Sequence, residues 1–409
     1  MKLIVCITCF FLLSTSLLAK KIKEGTYRGM LILNEAGGLQ VPFNFDVVYK
    51  GKKPLIIIHN ADEKITVDEI NQKGDSLNFK MPVFDTEFRT RITGDSIEGL
   101  WINNYKTSGN KIKFKAVYGE KRRFLFTPGK ADPVFEGRWE VTFSPGSKDS
   151  TKAIGVFHHQ EQTDFVSGTF LTETGDYRYL EGMKHGNELI LSCFDGMHAY
   201  LFTAEYKDNA LVNGKFYSGV TWQENWLGRR NEQFRLADAE AITFVKDKNA
   251  KLNFSFPDTD NKIVSLNDKR YENKPVIIQV MGSWCPNCMD ESTYFSQLYK
   301  QYRSEGLEII ALAFEKTPDF EKARYQAGRV KTRLSLDYEV LITQQTGREK
   351  ASEVLPELNK IIAFPTSIFL NRQHQVVKVH TGFSGPATGA DYDQYKQSTE
   401  ATVKQLLKE

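Results

Sequence analysis

Cysteine is scarce in this 409-residue chain: there are five, and two of them, Cys6 and Cys9, lie inside an apolar leader. The other three, Cys193, Cys285 and Cys288, are too few for a scaffold stapled by disulfides. No second Cys pair accompanies Cys285 and Cys288, and a structural zinc site needs about four ligands. Met289, not His, follows Cys288, so covalent haem attachment is excluded too. Charge of one sign is also lacking. Lysine and arginine total 54 against 51 acids, and no basic tract carries interleaved aromatics, so a nucleic-acid partner is not expected. Residues 20 to about 246 lack long helical periodicity, which argues against a helical front half.

What is present begins with the leader. Lys2 gives a positive start, Leu3 to Leu18 is almost wholly apolar, and Ala19 precedes Lys20-Lys21. The pattern predicts a signal peptide over residues 1–19, cut near Ala19. The apolar run is shorter than the ~20 residues a membrane span needs. Left uncleaved, it would tie the protein to the membrane. An exported, periplasmic protein follows, and outside the cytoplasm a free thiol pair oxidises unless something reduces it. Cys193 sits in the strand pattern Leu189 to Phe194 and reads as a buried, inert thiol.

Residues 20–132 and 133–246 read as two β-rich units, barrel-like or sandwich-like, built of short alternating runs separated by turn residues. They also repeat. Glu24-Gly25-Thr26-Tyr27 matches Glu136-Gly137-Arg138-Trp139. Lys73 to Phe79 matches His185 to Leu191, and Ile97 to Trp101 matches Val212 to Phe216, in the same order. Each unit has the size of a domain. The opening Gly-x-Tyr/Trp is similar to the start of lipocalin-like barrels, and one elongated sheet is the alternative. Asn213-Gly214 predicts a hairpin turn, and Gln223 to Arg230 reads as a loop. Phe157, Tyr177, Tyr179, Trp222 and Trp226 would line a barrel mouth if the units held a small ligand, and otherwise fill the core. His158 and His159 are adjacent strand residues facing opposite ways, a poor metal pair.

Residues 247–409 carry the chemistry. Val276 to Val280 is a β-branched run of strand length, and Trp284-Cys285-Pro286-Asn287-Cys288 follows it. Tyr294, Leu298 and Tyr302, with Phe295 and Tyr299 beside them, then mark one face of a helix. A Cys at a helix N-terminus meets unpaired N–H groups and the positive end of the dipole, which favour the thiolate. Cys285 is expected at the exposed first turn and Cys288 one turn on and less exposed. Leu307 to Phe314 predicts a central strand ending at Glu315, and Thr317-Pro318 predicts a helix start. A helix lies between Thr343 and Lys360. The runs Ser367 to Leu370 and Val376 to His380 form a hairpin, and Tyr392, Tyr395, Thr399, Val403 and Leu406 trace a last helix. The order is α/β with a mixed sheet.

This last part resembles the thioredoxin fold, and within it the exported thiol-disulfide oxidoreductases of the TlpA/ResA type. The resemblance rests on Trp284 to Cys288, on Phe364-Pro365-Thr366 before a strand, and on the extension between them. It implies that Pro365 is cis and lies against the cysteines, leaving the preceding peptide free for a substrate backbone. It implies a redox-active Cys285–Cys288 disulfide with no other cofactor and no metal. It also implies an acidic residue near the cysteines, for which Glu315 is the candidate, tuning the thiols and relaying a proton. Phe364 is bulkier than the usual neighbour and would reshape the substrate groove.

The leading expectation is a disulfide reductase in which Cys285 attacks a target disulfide and Cys288 resolves the mixed disulfide. Its partners would be disulfide-containing exported proteins and a membrane electron donor that re-reduces the pair. One alternative is a ligand- or partner-binding β-barrel protein regulated by its redox domain. The other is a thiol peroxidase, which Gly282 argues against, since such sites carry Thr or Ser three residues before the attacking Cys.

Overall fold

A computed structural model describes residues 21–36, 38–127 and 133–409. The leader expected over residues 1–19 lies outside the described residues. Two nine-stranded antiparallel sheets come first, and a five-stranded mixed sheet flanked by helices closes the chain. Both front sheets are barrel-like and the last part is thioredoxin-like, as anticipated. No described helix is long and apolar enough to cross a membrane, a statement that does not touch strands.

In the first sheet, strands adjacent in sequence pair in space with one exception, and the first strand, Gly25–Asn34, pairs with the last, Lys111–Tyr118. The two edges, Glu63–Val67 and Glu69–Lys73, follow one another directly in the chain. The second sheet closes. Thr151–His159 pairs with Gly137–Phe143 on one side and Phe165–Thr172 on the other, so eight strands form a ring. The two-residue strand Gly175–Asp176 hangs on Phe165–Thr172 outside that ring. Closure removes exposed edges, and alternate side chains fill the inside. Phe143, Phe157, Phe170, Phe202, Phe216 and Trp226 are buried there in ring-to-ring contact.

The internal repeat is visible in detail. Tyr27 and Trp139 occupy matching places in the opening strands, and both are buried. Tyr27 OH donates to the Lys23 carbonyl at 3.2 Å, and Trp139 Nε1 donates to the Phe135 carbonyl at 2.9 Å. Each ring thus plugs its barrel and ties down the chain four residues before it. The two barrels also interlock. Phe194, at the end of strand Glu188–Phe194 in the second unit, enters the first unit's core. Its ring lies 4.6 Å from that of Phe43 and 5.5 Å from those of Phe88 and Trp101. Asn60 Nδ2 donates to the Phe194 carbonyl, and Asn60 Oδ1 accepts from the Phe194 N–H.

Three local expectations are corrected. Asn213-Gly214 is a bulge inside strand Ala210–Ser218, not a hairpin turn. The turn is Asp208-Asn209, both with positive φ, as a tight hairpin requires. Gly214 is needed for close approach, since a Cβ there would sit 2.3 Å from the Trp226 carbonyl oxygen. Gln223 to Arg230 is no loop but most of strand Trp222–Arg230, which pairs on both sides within the ring. Its outer face is so polar that only Trp226 and Gly228 are buried, which hides the strand period. The helix expected at Thr317-Pro318 starts later, over Phe320–Arg333, capped by the Asp319 side chain.

In the last sheet the order is Glu339–Ile342, Glu308–Ala313, Val276–Met281, Thr366–Leu370, Val376–Thr381. The first three are parallel and the last two antiparallel to their neighbours. All six residues of Val276–Met281 are buried, because both faces of the central strand are covered. Helix Pro286–Tyr302 buries Tyr294, Phe295, Leu298, Tyr299 and Tyr302, the face expected for it. The last helix, Ala390–Lys408, buries Tyr395, Thr399, Val403 and Leu406.

Candidate active site

Cys285 is the N-cap of helix Pro286–Tyr302, and its Sγ accepts from the Cys288 N–H at 3.2 Å. Pro286 takes the first helical position, where a missing N–H costs nothing. Cys285 and Cys288 form a disulfide with Cα atoms 5.2 Å apart. Once that bond is reduced, the helix end favours the thiolate at Cys285. The Phe364–Pro365 peptide is cis, and the Phe364 carbonyl oxygen lies 3.3 Å from Cys285 Sγ. The loop is anchored by Thr366, which pairs with Val280 and donates its hydroxyl to Ala363. The Phe364 ring packs edge-on to Trp284 at 5.5 Å and over Phe314 at 5.9 Å.

Cys285 is not at an exposed turn. It is 6% exposed, and Cys288 is fully buried. Cys285 lines the floor of a cleft of about 520 Å³ walled by all three parts of the chain. Trp101 and Tyr105 come from the first unit, Tyr177 and Tyr200 from the second, and Trp284 and Phe364 from the last. The aromatics expected at a barrel mouth divide: Phe157 and Trp226 are core, Tyr177 faces the cleft, Tyr179 is half-buried elsewhere, and Trp222 is exposed.

Glu315 lies at the end of its strand as expected, and both its oxygens are taken by Ser283, two residues before Cys285. The Ser283 N–H donates to Oε1 at 2.9 Å and the hydroxyl to Oε2 at 2.6 Å. Tyr105 OH, from the first unit, sits 3.1 Å from Ser283 Oγ and extends the chain of contacts. Burial pushes the Glu315 carboxyl up to about 7, against the two Ser283 hydrogen bonds and the nearby Lys316.

Asn287 is buried against the second unit. Its Nδ2 donates to the Asp176 carboxylate at 2.8 Å and to the Asp176 carbonyl at 3.0 Å. The close approach needs Gly175, where φ is +137° and a Cβ would meet Asn287 Nδ2 at 2.6 Å. Burial, then Asp290, pushes Asp176 up to about 7. Two residues on, Arg178 binds one carboxylate from each part of the chain. It donates to both oxygens of Asp290 on the CxxC helix, to Asp195 in the second unit and to Glu63 in the first. Burial works against its charge, but these three carboxylates outweigh it and hold it protonated.

Sequence reasoning missed four of these groups. Asp176 and Arg178 sit more than a hundred positions from Asn287 and Asp290, and no local pattern links them. Tyr105 lies in a turn of the other barrel. Glu291 did leave a signal: it stands three residues beyond Cys288 on the same helix face. It is fully buried, accepts from Ser367 and Tyr395 on Oε1 and from Gln279 on Oε2, and burial pushes it up to about 7. Gln279 Nε2 also reaches the Cys288 carbonyl at 3.4 Å.

The Redoxin family profile matches residues 245–396. Those residues are a redoxin domain. Over 164 residues the chain is 28% identical to the thiol-disulfide oxidoreductase ResA of Halalkalibacterium halodurans, covering 40% of this chain and 78% of the relative. The ResA of Bacillus subtilis is 26% identical over 140 residues, 34% of this chain and 70% of the relative. A thioredoxin-family thiol:disulfide interchange protein of Chlorobium tepidum, of known structure, matches at 18% identity with a TM-score of 0.31. That match covers 39% of this chain and 97% of the other. A bonded CxxC pair at the head of a helix in a redoxin domain makes the chain a thiol-disulfide oxidoreductase.

Proposed function

We propose that this chain is exported to the periplasm and there reduces disulfides of other exported proteins. One observation carries the reading: Cys285 caps a helix N-terminus, is bonded to Cys288, and lines the open cleft while Cys288 is buried beneath. The pair is its own redox group and needs no further cofactor. A membrane-borne dithiol donor first reduces it, becoming a disulfide itself. Cys285 thiolate then attacks a target disulfide. A Cys285–target S–S bond forms, the target S–S bond breaks, and the leaving thiolate takes up a proton. Cys288, deprotonated, attacks Cys285 Sγ, restores the Cys285–Cys288 bond and frees the second target thiol. Two electrons have passed from the pair to the target.

The supporting residues have separate roles in this scheme. Pro365, with no N–H, keeps a donor away from the sulfurs, and the Phe364 peptide beside Cys285 offers its backbone to the target. Trp284 and Thr366 fix the two loops, and Asn287 joins the CxxC turn to the second barrel. Glu315 acts through Ser283 as a positioning residue that also titrates near neutrality. Glu291, one turn past Cys288 and joined to its carbonyl through Gln279, is a second reservoir for the proton Cys288 must lose.

Trapping tests the reading. Cys288→Ala in the exported protein leaves mixed disulfides unresolved, so adducts with natural targets accumulate through Cys285. Adducts that survive replacement of Cys285 would show that the roles are wrongly assigned.

A further inference from the structure

The cleft above Cys285 carries an unbalanced charge. Lys106 from the first barrel and Lys316 and Arg348 from the redoxin domain line it. None of the three has an ion-pair partner among the described residues. Lys316 Nζ stands 3.8 Å from the centre of the Trp284 ring, beside the CxxC turn. Withdrawal of that amine from water, then Arg348 and Lys106, pulls its pKa below the usual lysine value, against the pull of Glu315. Asp176 is the one carboxylate lining the cleft, and it is occupied by Asn287 and the Gly385 N–H. Glu315 does not line the cleft: its oxygens accept from Ser283, and it attracts Lys316 alone of the three cations from behind.

The depth of the site limits what can enter. Cys285 is 6% exposed at the bottom of walls built by three units, which a convex folded surface does not reach. An extended segment does, running beside the Phe364 peptide, with Trp101, Tyr177 and Tyr200 as apolar walls. We infer that the cleft selects an extended peptide disulfide with carboxylates beside its cysteine, held by Lys106, Lys316 and Arg348. The inference rests on the reductase reading and adds to it the class of substrate. The barrels then take part in selection, since the first supplies one of the three cations and the second supplies the facing wall.

The test uses the full chain, pre-reduced with dithiothreitol, and three disulfide-linked peptides of equal length. Their cysteines are flanked by Asp/Glu, by Asn/Gln or by Lys, and oxidised glutathione serves as a small anionic disulfide. In this single turnover the acid-flanked peptide is expected to show a second-order rate constant about tenfold or more above the amide-flanked one, through focused attraction in a walled cleft. Raising salt, and the triple variant Lys106→Gln, Lys316→Gln, Arg348→Gln, should bring that ratio to about one. A ratio near one in the unaltered protein, or one that persists in the triple variant, overturns the inference. So does an equal loss on all three peptides, which would mean that the cations tune the thiol instead. Reduction of glutathione as fast as the acid-flanked peptide overturns the peptide assignment. Failure to reduce any disulfide would instead refute the reductase reading, a distinct outcome.

Discussion

Arg178→Met removes a cation that touches all three parts of the chain while keeping most of the side-chain volume. Arg178 is 7% exposed, and its partners Glu63, Asp195 and Asp290 are largely buried. Removing one partner of a buried pair leaves uncompensated charge, at a cost of about 3–5 kcal/mol. Here the loss depends on pH in a definite direction. Burial already holds Asp290 and Glu63 above the ordinary carboxylate range with the guanidinium in place. Without it they rise further. A carboxyl whose folded pKa is raised costs nothing below its unfolded pKa, and its cost grows as pH rises toward the folded value. The loss is therefore largest at pH 8 and much smaller at pH 5. Unfolding of several domains is not two-state, so local opening is the better readout. Amide hydrogen exchange over Gly175 to Tyr179 and the CxxC turn should accelerate by about a hundredfold or more at pH 8, as about 3 kcal/mol implies. A change under tenfold at pH 8, or an equal change at both pH values after correction for intrinsic exchange, would refute this account of the junction.

Three further outcomes follow from the geometry. Glu315 rises from 4.5 to about 7 on folding, so its burial costs nothing below about pH 4.5 and about 3 kcal/mol above pH 7. Glu315→Gln should flatten the fall in thermal stability between pH 5 and 8, and an unchanged slope would assign it to other groups. Phe194→Ala empties the shared aromatic cluster and should cost about 3–5 kcal/mol, read by denaturant unfolding of both barrels together. If only the second barrel weakens, the cores are separate. In the reduced native protein, iodoacetamide should label Cys285 first, since Cys288 is buried and burial raises the Cys193 thiol well above its usual range. Mass spectrometry of early digests checks this, and early labelling of Cys193 would contradict its burial.

What could be read from the chain was whatever is local. The strand, the CxxC turn, the helix face from Tyr294 to Tyr302 and Pro365 all announce themselves within a few residues, and the repeat shows because equivalent strands recur in order. Strand Trp222–Arg230 escaped because only Trp226 and Gly228 are buried in it, and the charged Glu224 and Arg230 share their face. Asn213-Gly214 misled because a bulge and a hairpin ask for the same residues. The exposure of Cys285 was misjudged for a different reason: it lies in a cleft whose walls include Tyr105, Tyr177 and Tyr200, on other units. The hook between Asp176 and Asn287 and the clamp at Arg178 are tertiary, and a single sequence offers no pattern for them.

The ring of Phe194 also sets a timetable. A chain delivered N-terminus first presents all strands of its first barrel by residue 118, yet that barrel lacks the phenylalanine its cluster is built around. The missing piece arrives when nearly half of the 409 residues have emerged. Until then the leading segment is an unfinished vessel, open at the place where its neighbour will plug it. The two barrels therefore mature as a pair, and a protein cut between them should yield no sound first half.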